Sequence, residues 1–350
     1  MRIAFLSSTP ASPVEGSGTF VGLQGLLHGL VRLGHEVSFR PLGLRTGFHT
    51  LDRWLYNAQV ALVPPPADLV VGVDLDGFLW ARRRRNRFVV ALKGVIADEL
   101  TNERGLTRAL LSVQARWERA NVHRADHVVV PSAYSAAMAA ELYGLDRRRL
   151  SVVPEPIDLA GWRARLAAAP PPAVRTPTVL TVARMYPRKR LDDLLAAAVR
   201  VRERVRDVRF RVVGAGPEST RLRALHARLG LRDTVTFLGD VSAAALAVEY
   251  ARADCFCLPS SQEGFGIVFL EAMTAGLPVV ACRAAAVPEV VADGETGVLV
   301  PPRDPQALAH AIEKVLVDST WARALGTMGT RRVAAFDLDP VARRFMEIVG

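Results

Sequence analysis

The amino-acid sequence predicts an α/β protein of two doubly wound, mostly parallel sheets facing each other across a cleft. Three observations carry that expectation. Short apolar runs alternate with longer amphipathic stretches, the β-α-β rhythm of a parallel sheet covered by helices. The rhythm stops once, at residues 167–177 (AAAPPPAVRTP), whose prolines continue neither strand nor helix. At 350 residues the chain is long enough for two medium domains.

Residues 3–6 read as a buried first strand, and 19–33 as a helix that Gly34 stops. Strand patterns follow at 36–40, 68–73, 88–92 and 127–130, and Ser132 is placed to cap a helix over 133–143. After the proline-rich break, strands read at 178–183, 209–213, 234–238, 255–258 and 278–281. Helical patterns fill 305–317, 320–334 and 340–348. The expected division is a first domain over 1–165, a linker over 166–177, a second domain over 178–335 and a final helical segment over 336–350.

Composition narrows the function classes. The longest window free of charged side chains, 16–31, is interrupted by Gln24, His28 and several glycines, whereas a spanning helix needs about 20 apolar residues. Ser-Thr-Pro and Glu15 break the brief resemblance of the first residues to a signal peptide. Three cysteines, an odd number set in apolar runs, suit a reducing compartment. The expected location is cytoplasmic, with at most a peripheral contact at the inner face of a membrane. The formal charge of +10 is shared by both halves and includes only three lysines, so a lysine stands out in this chain. Basic balance fits anionic lipid, nucleic acid or phosphorylated substrates. Nucleic acid is disfavoured, because aromatics are 7% and are not interleaved with the arginines.

The stretch Ser260-Ser-Gln-Glu-Gly-Phe-Gly-Ile-Val-Phe-Leu-Glu-Ala-Met273 sets Glu263 and Glu271 on either side of a helix start. A helix start after a strand favours anions, and Gly264 and Gly266 permit close approach of a ligand to the backbone. Glu263 then reaches a hydroxyl next to the anion, and Glu271 a second pair of hydroxyls further along. Two carboxylates for hydroxyls with phosphate amides between them describe a nucleotide-sugar site; a capped surface helix with two solvated acids is the other reading. Arg184 and Lys189 follow the strand over 178–183, and such a pair can neutralise a diphosphate leaving group. Val213-Gly-Ala-Gly-Pro217 is an incomplete dinucleotide fingerprint, and Glu15-Gly-Ser-Gly-Thr-Phe20 reads as a loop able to approach phosphate; ordinary turn chemistry explains both equally. The histidines show no metal-ligand spacing, and the Asp-x-Asp at Asp74-Leu-Asp76 reads as structural or acceptor-side.

Taken in order, Arg184…Lys189, Gly214-Ala-Gly-Pro217, Phe237-Leu-Gly-Asp240, Pro259-Ser…Glu263-Gly-Phe-Gly…Leu270-Glu-Ala-Met273, Gly276-Leu-Pro-Val-Val280 and Asp293-Gly-Glu-Thr-Gly-Val-Leu299 resemble the family-4 retaining glycosyltransferases of the GT-B fold, with two Rossmann-like domains. The match is dense over 178–317 and looser before it. The resemblance implies a metal-independent, retaining hexosyltransferase acting in carbohydrate biosynthesis. Its co-substrate would be a UDP- or GDP-linked sugar, its acceptor is open, and no cofactor is implied. Arg184 and Lys189 would bind the donor diphosphate, Glu263 the transferred sugar, and Glu271 the ribose. Gly264, Phe265 and Gly266 would add backbone contacts, the backbone near Gly239 and Val241 would bind the base, Gly214 and Ile267 would also belong to the donor site, and Gly16 and Gly18 would meet the phosphates from the first domain. The last helix would cross back onto that domain. A nucleotide-sugar epimerase or a phosphorylase on the same fold is the alternative.

Two positions depart from the family pattern. Lys93-Gly94 stands where a His-Gly is usual, and Glu155-Pro-Ile-Asp158 where Asn-Gly-Val-Asp is frequent. Following a buried strand, Lys93 is expected to present its ammonium to an anionic group and to take part in catalysis. Asp98 or Glu99 is its structural alternative partner. Trp54, Asp76, Asp98 and Glu99 are the acceptor-side candidates. Arg82-Arg-Arg-Arg85, Arg87 and Trp80 are the candidates for an anionic membrane surface.

Overall fold

Strands buried on both faces and joined by helices give two six-stranded parallel sheets. The computed structural model describes residues 1–9, 13–43, 46–63, 65–84, 86–171 and 176–350, with the backbone alone for 13–17. Contacts divide the chain into two units, Met1–Pro156 with Leu338–Gly350, and Ile157–Asp337.

The first unit contains β1 (Arg2–Leu6), β2 (Glu36–Arg40), β3 (Leu69–Val73), β4 (Arg87–Ala91), β5 (His127–Val130) and β6 (Leu150–Val152), in the spatial order β2-β1-β3-β4-β5-β6. The near-continuous apolar runs of β1, β3 and β4 are central strands, and nearly all their residues are buried. Ser132 accepts the amide of Ser135 at 3.0 Å and so caps the helix Ala133–Tyr143 as expected. The helix Leu338–Val349 belongs to this unit, where Val341, Ala342, Phe345 and Val349 are buried against the β1 side of its core. Each large side chain contributes about 1.5–3 kcal/mol by leaving water. That burial is what returns the end of the chain to the first unit, as the resemblance implied.

The second unit contains β7 (Thr178–Val182), β8 (Arg209–Val213), β9 (Val235–Gly239), β10 (Cys255–Leu258), β11 (Val279–Cys282) and β12 (Gly297–Val300), in the order β12-β11-β10-β7-β8-β9. All three cysteines are buried free thiols.

The change of unit falls at Pro156–Ile157 and not within 166–177, part of which lies outside the described residues. The helix Leu159–Ala167 therefore belongs to the second unit. Asp158 caps it, Leu159 and Trp162 are buried, and the Ile157 amide donates to Phe336 O at 2.9 Å. Apolar burial of that helix outweighs the proline-rich stretch that follows it. β6 is only three residues long, and β12 begins inside the turn-rich stretch Asp293-Gly-Glu-Thr-Gly297, so neither stands out in the sequence pattern.

Candidate active site

In a doubly wound sheet, ligands favour the crevice at the strand ends where the winding order reverses. In the second unit that point lies between β7 and β10. The segment after β7 carries Arg184 and Lys189, and the segment after β10 carries Glu263–Gly266. The Ser261 amide donates to Arg188 O at 2.9 Å and joins the two segments. Their side chains meet in an ion pair, with Lys189 Nζ 2.5 Å from Glu263 Oε1 and both side chains about nine-tenths buried. Burial pushes the Glu263 carboxyl upward, but the charges of Lys189 and Arg188 outweigh it and hold the group below its ordinary value. Glu263 is thus an ionised acid held by a cation, not a solvated surface carboxylate.

Arg184 lies on the β8–β9 side, 3.6 Å from Asp240 Oδ2. Gly214 joins the ends of β8 and β9 by donating to Gly239 O at 2.7 Å. Its φ is +108°, and a Cβ there would stand 2.1 Å from Ala183 O, so only glycine fits. Val241 follows, half-buried, and Ser242 then caps the next helix. Gly266, with φ +99°, precedes the helix Ile267–Thr274, whose first amides have no partners within the helix. Phe265 and Ile267 are buried, Phe265 edge-on to Phe336 at 5.6 Å, so both residues pack as core while their backbone forms the turn.

Glu271 is in this helix and buried. Tyr250 OH donates to its Oε2 at 2.8 Å. Burial pushes its pKa up to about 7, against the opposing effects of that hydrogen bond and of Arg165. Sequence reading missed Tyr250, which has no fixed spacing to the motif. It also missed Arg188 as a charge on Glu263, and Asp240, although Asp240 ends the quoted Phe237-Leu-Gly-Asp240.

The first unit departs from several expectations. Lys93 does not present a free ammonium. Its Nζ lies 2.9 and 2.8 Å from the two oxygens of Glu155, and both side chains are buried. The partner is neither Asp98 nor Glu99, and the two departures from the family pattern are each other's counter-ions. Burial is the reason: an ammonium that leaves water requires a carboxylate.

Asp76 is fully buried and accepts from Ser8 N at 2.6 Å, Ser8 Oγ at 2.7 Å and Asn57 Nδ2 at 2.9 Å. It lies at this unit's own reversal point, between β1 and β3, as a buried carboxylate held by these donors and not as an open surface acid. Asp98 accepts from Tyr134 OH at 2.8 Å, Glu99 is half-buried, and Trp54 is exposed. Gly16 and Gly18 lie within the helix Pro13–Arg32 and not in a loop. Pro13 begins the helix, as proline can in a first turn, and Gly18 has open space around its Cα. Trp80 is buried edge-on to Phe88, Arg84 pairs with Asp126 at 2.6 Å, and Arg85 lies outside the described residues.

Comparison with known proteins bears on the fold and the family. The fold class is that of the GT-B glycosyltransferases: a sucrose-phosphate synthase from Thermosynechococcus elongatus aligns with a TM-score of 0.81 at 24% identity, over 99% of this chain and 98% of that one. That likeness concerns the fold. Two family models match the sequence, Glycosyl transferases group 1 over residues 164–332 and Glycosyltransferase Family 4 over 66–161. The chain belongs to the family-4 glycosyltransferases of the GT-B fold. It is 34% identical over 228 residues to a GDP-mannose-dependent α-(1-6)-phosphatidylinositol monomannoside mannosyltransferase of Mycobacterium tuberculosis, covering 60% of this chain and 57% of that protein. It is 39% identical over 231 residues to a D-inositol 3-phosphate glycosyltransferase of Geodermatophilus obscurus, covering 61% and 49%. The chain spans about half the length of the curated relatives it matches.

Proposed function

We propose that the chain transfers a sugar from a UDP- or GDP-linked donor to an acceptor hydroxyl, with retention of configuration and without a metal ion. The observation that carries this reading is the buried Lys189–Glu263 pair at the reversal point of the second sheet. An arriving diphosphate competes with Glu263 for the Lys189 ammonium, and Arg184 adds a fork of donors. Glu263, released, accepts from a hydroxyl of the sugar, Glu271 accepts from the ribose, and the turn at 239–241 receives the base. As the bond from the anomeric carbon to the diphosphate breaks, Lys189, Arg184 and the amides at the helix start stabilise the developing charge. The acceptor oxygen bonds to that carbon on the same face, and its proton passes to the departing phosphate oxygen. A family member whose relatives bear mannosyltransferase and inositol-phosphate glycosyltransferase names fits such a donor and a polyol acceptor. Incubation with UDP- and GDP-sugars and candidate polyols, with NMR of the product, tests the reading. An α-linked product from an α-donor supports it. An epimerised donor, a sugar 1-phosphate or a β-linked product contradicts it.

The same protein is proposed to contact anionic membranes, through a surface different from the arginine run around Trp80. Phe48, Leu51 and Trp54 at or beside the helix His49–Leu62, and Leu106, Leu110 and Val113 on Gly105–Arg124, are exposed. Gln114 ties the two helices together by bonds with Thr50 and Arg53 at 2.7 and 3.0 Å. Exposed Arg116, one turn beyond Val113, and Arg104 at the start of the helix supply charge for anionic headgroups. Flotation with anionic but not neutral vesicles, weakened by Leu106→Ser with Leu110→Ser, is the expected result. Equal flotation with both vesicles contradicts it.

A further inference from the structure

The helix Ala243–Arg252 presents a tyrosine to the buried face of the helix Ile267–Thr274. Tyr250 is fully buried. Its ring stacks on Phe256 at 5.9 Å, and Trp162 meets it edge-on at 5.5 Å. Phe256 in turn meets Phe269 edge-on at 6.0 Å. Such a box leaves the phenol one orientation. The hydroxyl points at Glu271 Oε2, 2.8 Å away, with Val268 O at 3.3 Å as its second possible acceptor.

We infer that Tyr250 positions Glu271 for nucleotide binding, taking one carboxylate oxygen so that the other, Oε1, is presented to a vicinal diol of the ligand. The inference rests on the reading of Glu271 as the ribose contact. The aromatic box supplies rigidity that the carboxylate lacks, since a glutamate side chain has several rotatable bonds. The phenol also bears on the charge of the acid. An ionised carboxylate accepts from two hydroxyls, whereas a protonated one loses both an acceptor position and its charge.

Burial holds Glu271 near pH 7, and the Tyr250 hydrogen bond together with Arg165 keeps it from rising further. Those two groups face the carboxyl from the helices Ala243–Arg252 and Leu159–Ala167. On the helix Ser319–Arg332, Arg332 is engaged by the carbonyl oxygens of Glu289 and Val290. The sign follows. Nucleotide affinity falls as pH drops through about 7, because the protonated acid is the poorer acceptor. Loss of the phenolic hydroxyl removes a contribution that lowers the pKa, so the midpoint of that fall moves to higher pH.

The test is calorimetric titration of UDP and GDP between pH 6 and 9 into wild type, Tyr250→Phe, Glu271→Gln, Glu271→Ala and Tyr250→Phe with Glu271→Gln. Phenylalanine keeps the ring and its stacking, so the fold is retained, and melting curves verify this. The expected result is a Tyr250→Phe affinity about tenfold lower at neutral pH, the size of one lost hydrogen bond to a charged group. The deficit narrows at high pH, and the pH midpoint rises. In the Glu271→Gln background the pH dependence disappears and Tyr250→Phe adds nothing. Wild-type affinity and midpoint in Tyr250→Phe overturn the inference, as does an undiminished effect of Tyr250→Phe in the glutamine background. Wild-type affinity in Glu271→Ala instead overturns the reading of Glu271 beneath it.

Discussion

Each unit buries one lysine–glutamate pair at the end of a parallel sheet: Lys93–Glu155 in the first, Lys189–Glu263 in the second. Charge, burial and contact length are nearly the same, and the surroundings are not. Lys189–Glu263 lies at the reversal point of its sheet, joining the segment that also carries Arg184 and Arg188 to the glycine turn that opens a helix. Lys93–Glu155 lies beyond β4 and β6, to one side of the reversal point of its own sheet, where Asp76 accepts from the neutral donors Ser8 and Asn57. The Lys93 amide is held by Asp74 Oδ1 at 2.7 Å, and Glu155 is next to Pro156, the last residue before the change of unit. On the function proposed above, the same pair of residues holds the fold in one place and receives a ligand in the other. The topology decides which.

Removing one member of each pair separates these roles. Lys93→Ala leaves Glu155 buried and uncompensated, which costs about 3–5 kcal/mol of stability. Urea unfolding reads that loss, while turnover per folded enzyme stays within a few-fold of wild type. Replacing both members, as Lys93→Met with Glu155→Leu, returns most of the lost stability, because no lone charge remains. A turnover loss of tenfold or more in that stable double variant would make Lys93 a catalytic group and erase the contrast.

Lys189→Ala shows the reverse pattern. Loss of a preorganised cation at a leaving group lowers turnover on the order of 10²–10³-fold. Steady-state rates on protein shown folded by circular dichroism measure it, and a rate near wild type would reduce the second pair to a structural one as well.

Much of this contrast is legible in the amino-acid sequence. The second unit's strands over 209–213 and 255–258 and the helix over 305–317 match their predicted ranges, because each is bounded by strong punctuation and carries an unbroken apolar pattern. Glu263, Gly266 and Lys189 are close in space because their spacing relative to two strand ends brings them there. What is not legible has a common cause. Lys93 and Glu155 are 62 residues apart, and nothing in the sequence indicates that β4 and β6 lie two strands apart with their ends at one level. Tyr250 reaches Glu271 from a separate helix, at a distance in sequence that carries no motif. Gly16 and Gly18 read as a phosphate loop, yet residues after Pro13 extend the first helix, whose buried face includes Leu23, Leu26 and Leu30.

The two glutamates of the second unit divide the pair's work further. Glu271→Ala weakens donor binding by about tenfold to a hundredfold, the worth of a hydrogen bond to a charged group, while Glu263→Ala lowers mainly turnover. Separate KM and kcat values for a UDP- or GDP-sugar measure the split. Wild-type constants in both variants would leave the strand-end cluster without a ligand. The smallest effect is expected from chelation. With Lys189 and Arg184 supplying the positive charge, EDTA leaves transfer unchanged; complete loss restored by Mg²⁺ or Mn²⁺ would transfer that role to a metal ion.

The most direct measurement is the melting temperature of wild type, Lys189→Ala and the Lys93→Met/Glu155→Leu double variant with UDP, GDP and their sugars. At a hundred times its dissociation constant a ligand stabilises the folded state by about 2.7 kcal/mol. The account predicts a rise in melting temperature with at least one nucleoside diphosphate in wild type and in the first-unit double variant, and a much smaller rise in Lys189→Ala. An equal rise in Lys189→Ala and wild type, or no rise with any of these nucleotides, would contradict it.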